Sequence, residues 1–262
     1  MSTTVILGRA TDDVLRGATL TSDTDPMETY DLATLQSGDP GSRVRFDEGT
    51  LILTWTLAAV TRLGVFVLPV SNCDPGTTVA TLTSPDGLYL PLTVPERQAN
   101  GIPRTLAVDL SALAIDTATV RLEIDGNSAD VILGGGIFLF CPTRTIAAVQ
   151  WGLDYEKAKQ TNELRNEFGT RYRIHFRTTE RLLRFPVSLE PSEMPDVEDW
   201  YDADGYDPDD ETAPPSLLWV QRDELDPYVG TIMGSLKLRQ PKGVLLYEGE
   251  ILFAELSKGL PV

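Results

Sequence analysis

The chain has 262 residues, 42% of them hydrophobic, and a formal net charge of −17. That length can bury one large core or two smaller ones. The charge excludes a general nucleic-acid binder, which needs a basic face for phosphates, and also docking on anionic lipid.

Residues 1–150 read as all-β. The runs TLILTWTL (50–57) and LGVFVLPV (63–70) are apolar, β-branched and aromatic, and the short link AAVTR suits sequential strands. TTVATLTS (77–84) ends in a Pro-Asp-Gly turn. TLAVDLSAL (105–113), TVRLEID (119–125) and ADVILGGGIFLFCP (129–142) continue the series. Short strands at regular spacing, separated by turns, point to a sandwich or barrel. In VRLEI, Val120, Leu122 and Ile124 face one way while Arg121 and Glu123 face the other. Gly134–Gly136 is followed by neither the GK[ST] of a phosphate loop nor a helix, so a bend between strands is expected. Cys73 and Cys141 have no CxxC spacing and read as reduced bystander thiols.

After residue 150 the pattern changes. Leu153, Tyr155, Ala158, Leu164 and Phe168 among charged residues, with Gly169 beyond them, predict a helix near 154–168. TRYRIHFRTT (170–179) alternates Tyr172, Ile174 and Phe176 with Arg171, Arg173, His175 and Arg177. RLLRFPVSL (181–189) reads as its hairpin partner, with the turn at TTE. Strands are also expected in SLLWVQR (216–222), GTIMGSLKLRQ (230–240) and GVLLYEGEILFAEL (243–256). The expected organisation is a β-sandwich domain over 1–150, then a smaller α+β assembly region over 151–262 with one helix and a hairpin. No stretch approaches the about 20 apolar residues that span a bilayer. The opening MSTTVILGRATDDV lacks the regions of a secretory signal, so none is expected.

Catalytic signatures are missing. There is no GxSxG, and His175, the one histidine, sits between arginines on the polar side of its strand. A glycosidase needs one carboxyl in an apolar pocket. The acids here crowd instead into a Pro-rich segment, 190–215, expected to be a long exposed loop: Glu190, Glu193, Asp196, Glu198, Asp199, Asp202, Asp204, Asp207, Asp209, Asp210 and Glu211. With Gly205 as the turn glycine, Asp202, Asp204 and Glu211 fall on calcium-loop positions three, five and twelve. Trp200 at position one and Pro208 at position nine spoil the pattern, so no metal and no cofactor are expected.

The same segment carries Trp200, Tyr201 and Tyr206, which suit an anchor on a basic, partly apolar surface. The cationic counterpart lies just upstream: Lys157, Lys159, Arg165, Arg171, Arg173, Arg177, Arg181 and Arg184, against only Glu163, Glu167 and Glu180. Segregated charges of opposite sign favour a heterologous contact between copies, which closes into a ring or propagates as a filament. Pairing of the two segments within one chain is the rival.

The stretch SGDPGSRVRFDEGTLILTWTLAAVTRLGVFVLPVSNCDPGTTVATLTS (37–84) resembles structural proteins of the tail or tail tip of tailed bacteriophages. There, a D-P-x-S-x-x-R turn precedes an apolar strand, and a G-x-T-V strand follows. FGTRYRIHFRTTERLLRFPVSLE (168–190) is similar to the closing hairpin of those proteins. The resemblance implies a galactose-binding-like jelly-roll sandwich and a virion component, either distal tail, tail tip or adaptor, made in the host cytoplasm and bound to other tail proteins. It implies no catalytic residue. A carbohydrate-binding module contacting a host glycan is the alternative, with Trp55, Tyr89, Trp200 and Tyr206 as candidate aromatics; an enzyme on a sandwich scaffold comes third.

Overall fold

The structure is a computed structural model and describes residues 4–38, 41–96, 105–127, 129–146, 154–165, 171–203, 215–221, 227–240 and 246–255. It is mainly β, with several antiparallel sheets and one α-helix among the described residues.

A five-stranded sheet runs in the order β2 (Thr19–Ser22), β4 (Leu51–Arg62), β9 (Asp116–Asp125), β6 (Val79–Thr83) and β7 (Tyr89–Leu92). Its strands obey the two-residue period of a half-buried sheet. In β4, Leu51, Leu53, Trp55 and Leu57 are buried, while Ile52, Thr54 and Thr56 lie on the other side. The register sets Leu53 opposite Leu122, and Leu122 opposite Leu82, so apolar side chains form continuous rows.

Behind this face lies a three-stranded sheet of β11 (Phe138–Phe140), β5 (Val65–Leu68) and β8 (Leu106–Asp109), joined by the pair β3 (Arg43–Phe46) and β10 (Val131–Gly134). β5 reads VFVL without alternation because it is covered on both sides. Phe66 and Leu68 enter the core shared with Trp55 and Leu122, whereas Val65 and Val67 enter a second cluster with Ile6, Leu217 and Val229. The glycine run forms the expected bend. It breaks the long run 129–142 into β10 and β11, which lie in different sheets, with Gly136 at φ 76°. At Gly64 the backbone comes so near Phe140 that a Cβ would collide with its carbonyl oxygen.

The third layer is a seven-stranded sheet: β12 (Arg144–Ile146), β1 (Thr4–Gly8), β15 (Ser216–Gln221), β16 (Tyr228–Arg239), β17 (Tyr247–Glu255), β14 (Arg171–Leu189) and β13 (Asp154–Arg165). Here β1 and β12, from the first 150 residues, pair into the sheet made by the later strands. One face of this sheet meets the three-stranded sheet through Ile6 and Leu217. The opposite face buries Val5, Leu7, Leu218 and Phe253 beneath helix α1 (Met194–Asp202). No helix among the described residues is long and apolar enough to cross a membrane.

Two expectations are corrected. Residues 154–165 are a strand and not a helix. The hairpin partner of the arginine-rich segment is therefore β13, and the predicted TTE turn lies inside β14, which runs unbroken from Arg171 to Leu189.

Candidate functional site

The β13–β14 hairpin forms one edge of the seven-stranded sheet, β12 the other. β14 pairs with β17 from Arg181 to Leu189, and over 171–180 its only paired strand among the described residues is β13. Among the described residues, 171–180 and their partners thus form a two-stranded ribbon beyond the pair Arg181–Glu255. Tyr172, Ile174 and Phe176 supply the aromatic and branched side chains that favour extended backbone. Pairing with this strand overrides the helical spacing of Leu153, Tyr155 and Ala158, since local propensity is a weak prior against tertiary hydrogen bonds. The register sets Arg165 opposite Arg171, Glu163 opposite Arg173 and Thr161 opposite His175. An irregularity follows between Lys159 and Thr161. Arg177 falls opposite it, so the alternation expected from Arg171 to Arg177 is interrupted there.

Of the expected basic surface, Arg184 is exposed, and its backbone pairs with Asp154 on one side and Leu252 on the other. Arg165, Arg171, Arg173, Arg177 and Arg181 lie on the described strands, but their side chains lie outside the described residues.

The acidic segment is not one continuous loop. Its first part folds as α1, with Pro195 in the first turn, where its missing N–H costs nothing. Trp200, expected as an exposed anchor, is 1% exposed. Its indole Nε1 donates to the Gly8 carbonyl oxygen at 3.1 Å, and its ring stacks on Phe253 at 6.0 Å between centroids. With Val197 it fixes the helix to β1 and β17, so Trp200 serves the core. Asp199 and Asp202 are exposed on the same helix. The first three positions of the proposed calcium loop, Trp200 to Asp202, are helical, which removes the loop geometry that such a site needs. Asp204, Tyr206, Asp207, Asp209, Asp210 and Glu211 lie outside the described residues. Among the described residues no group of three His, Cys, Asp or Glu could hold a metal ion.

Two arginines from the ends of the first region bear on α1, and one of them contacts it. Arg144 of β12 reaches Asp196 at 3.1 Å. Arg9, just past β1, binds Asp12 through two hydrogen bonds, of 2.7 and 2.8 Å. Its guanidinium is held above its ordinary range by that bond, and by the charges of Asp12 and Asp199 despite partial desolvation. Arg184, the one base of the hairpin whose side chain is described, makes no ion pair with α1. Neither Arg9 nor Arg144 belongs to the basic span, and sequence reasoning missed both; Arg144 has no neighbouring base to mark it.

Other candidates sort by burial. Trp55 is wholly buried and cannot meet a glycan, whereas Tyr89 is 75% exposed on the edge strand β7. Cys73 and Cys141 are free and buried. Burial pushes the Cys141 thiol up to about 12, against a Gly64 N–H that donates to its sulfur at 3.2 Å. Part of Asp13 reaches the surface, but its carboxyl group is packed round by protein. There its Oδ1 accepts from the backbone N–H groups of Leu15 and Leu139. The chain matches no family model and no curated protein.

Proposed function

We propose that the chain is a non-enzymatic structural subunit of a bacteriophage tail, at the distal tail, the tail tip or an adaptor position. Copies join into a ring through unlike surfaces. The observation that carries this reading is the β13–β14 ribbon, in which residues 171–180 are paired, among the described residues, to β13 alone. Two isolated strands are at best marginally stable in water, so a ribbon of this length gains most from a surface on another chain. The ribbon is rich in Lys and Arg within a chain of net charge −17. Its partner surface is the exposed acidic side of α1 on the next copy, where Glu198, Asp199 and Asp202 are exposed. Opposite charges steer such an encounter and fix its register. The contact joins two different patches, so it closes only when the rotation between copies divides a full turn. Other tail proteins would lie above and below the ring.

Electron microscopy of the purified chain tests this. Uniform closed particles with a central opening are expected; isolated subunits at every concentration contradict the ring.

One observation favours a second reading, a module that binds a host-surface glycan. Tyr89, exposed on β7, sits opposite Thr83, which is in turn opposite Arg121. An aromatic beside polar groups suits a sugar ring. Glycan-array binding lost in Tyr89→Ala would support it, and an array without binding would remove it.

A further inference from the structure

Helix α1 is folded against its own charges. It has nine residues, fewer than an isolated helix needs to persist in water. Its N-cap, Glu193, makes no side-chain capping bond, and no basic residue stands in its last turn. Asp199 and Asp202 therefore face the negative end of the helix dipole. Asp196 and Asp199, Asp199 and Asp202, and Glu198 and Asp202 stand three or four positions apart, where like charges on a helix repel. Against these stand, among the described residues, one ion pair, from Arg144 to Asp196, the place of Asp196 in the first turn, and the field of Arg9 at Asp199, with Arg9 already bound to Asp12. The main apolar hold on the helix is the seat of Trp200 and Val197 on β1 and β17, with Met194 and Tyr201 packed beside it.

We infer that α1 is a charge-strained strap, helical only while docked, and that cations around it set how firmly it closes over the apolar face of the seven-stranded sheet. When it lifts, Val5, Leu7 and Phe253 lose their cover. Resting on the assembly reading, a neighbour's cationic ribbon laid along Glu198 and Asp202 would supply the missing countercharge, so that joining a ring and closing the strap favour each other.

Hydrogen exchange on the dilute full chain, read peptide by peptide, tests the strap without any association. Between about 0.01 M and about 1 M NaCl the screening length falls from about 30 Å to about 3 Å. Exchange across 194–203 should slow by about three- to tenfold, while β4 and β9 hold their rates. The double variant Glu198→Gln with Asp202→Asn should slow α1 at low salt and lose most of the salt response. Arg144→Ala should speed it. A salt response that is absent, reversed, or equal in the strands overturns the inference, as does a double variant that exchanges like the parent. A chain that never associates would leave these results standing, and a rigid α1 would leave the ring standing.

Discussion

At the scale of single residues, Asp13 and Trp200 carry the clearest consequences. Burial pushes Asp13 from its ordinary 3.8 up to about 7, against the pull of the Leu139 and Leu15 N–H groups and of Arg16. The native fold thus binds this proton more readily than the unfolded chain does. Its contribution to stability is complete below 3.8 and is lost as pH rises through about 7. Between about pH 5 and about pH 8, urea midpoints should fall further for the parent than for Asp13→Asn, which keeps the acceptor oxygen and cannot ionise. Parallel curves would show that Asp13 does not titrate in that range. Trp200→Phe keeps the apolar contact with Phe253 but strands the Gly8 carbonyl, at a cost of about 1 kcal/mol. Trp200→Ala empties the seat and should cost about 3–5 kcal/mol in a denaturant titration. A loss below about 1 kcal/mol for Trp200→Ala would mean that α1 contributes little to the fold.

At the scale of elements, what could be read in the sequence depends on where each strand's partner lies. β4 and β9 alternate because one side faces a core and the other does not. The alternation showed Val120, Leu122 and Ile124 as one face, whereas β4 was legible only as an apolar run. Its Trp55, expected as a candidate glycan aromatic, is buried. β5 and β11 were visible as apolar runs, but nothing in VFVL tells that it faces two cores at once. The segment 154–165 has helix-compatible spacing, and its strand state comes from β14, distant information that a local pattern does not contain. The acidic segment misled for the opposite reason. Its charges suggest water on all sides, while Val197 and Trp200, three positions apart, make the narrow apolar stripe of a docked helix. The ribbon offers a direct test of this level. Arg173 lies beyond the last β14–β17 pair and Arg177 lies opposite the irregularity, so reversing both to Glu should change folding stability by no more than about 0.5 kcal/mol. Association should fall at least tenfold in sedimentation velocity. A variant that fails to fold would mean that this part of β14 belongs to the core.

At the scale of the whole molecule, the layers explain how one chain can present two unlike surfaces. The central three-stranded sheet is covered on both sides, and the seven-stranded sheet is covered by it on one face and by α1 on the other. The cationic ribbon extends the edge of that sheet, and the acidic helix lies on its face, anchored by Arg144 and by Trp200 at Gly8. The side chains of the ribbon's bases lie outside the described residues, and the assembly reading proposes that ribbon and helix meet on different copies. Size-exclusion chromatography with light scattering, run at low and at high salt over a range of concentrations, tests that claim most directly. A single discrete oligomer at low salt that dissociates as salt rises is the predicted result. A mass of one chain, 28.7 kDa, at every salt and concentration would contradict it.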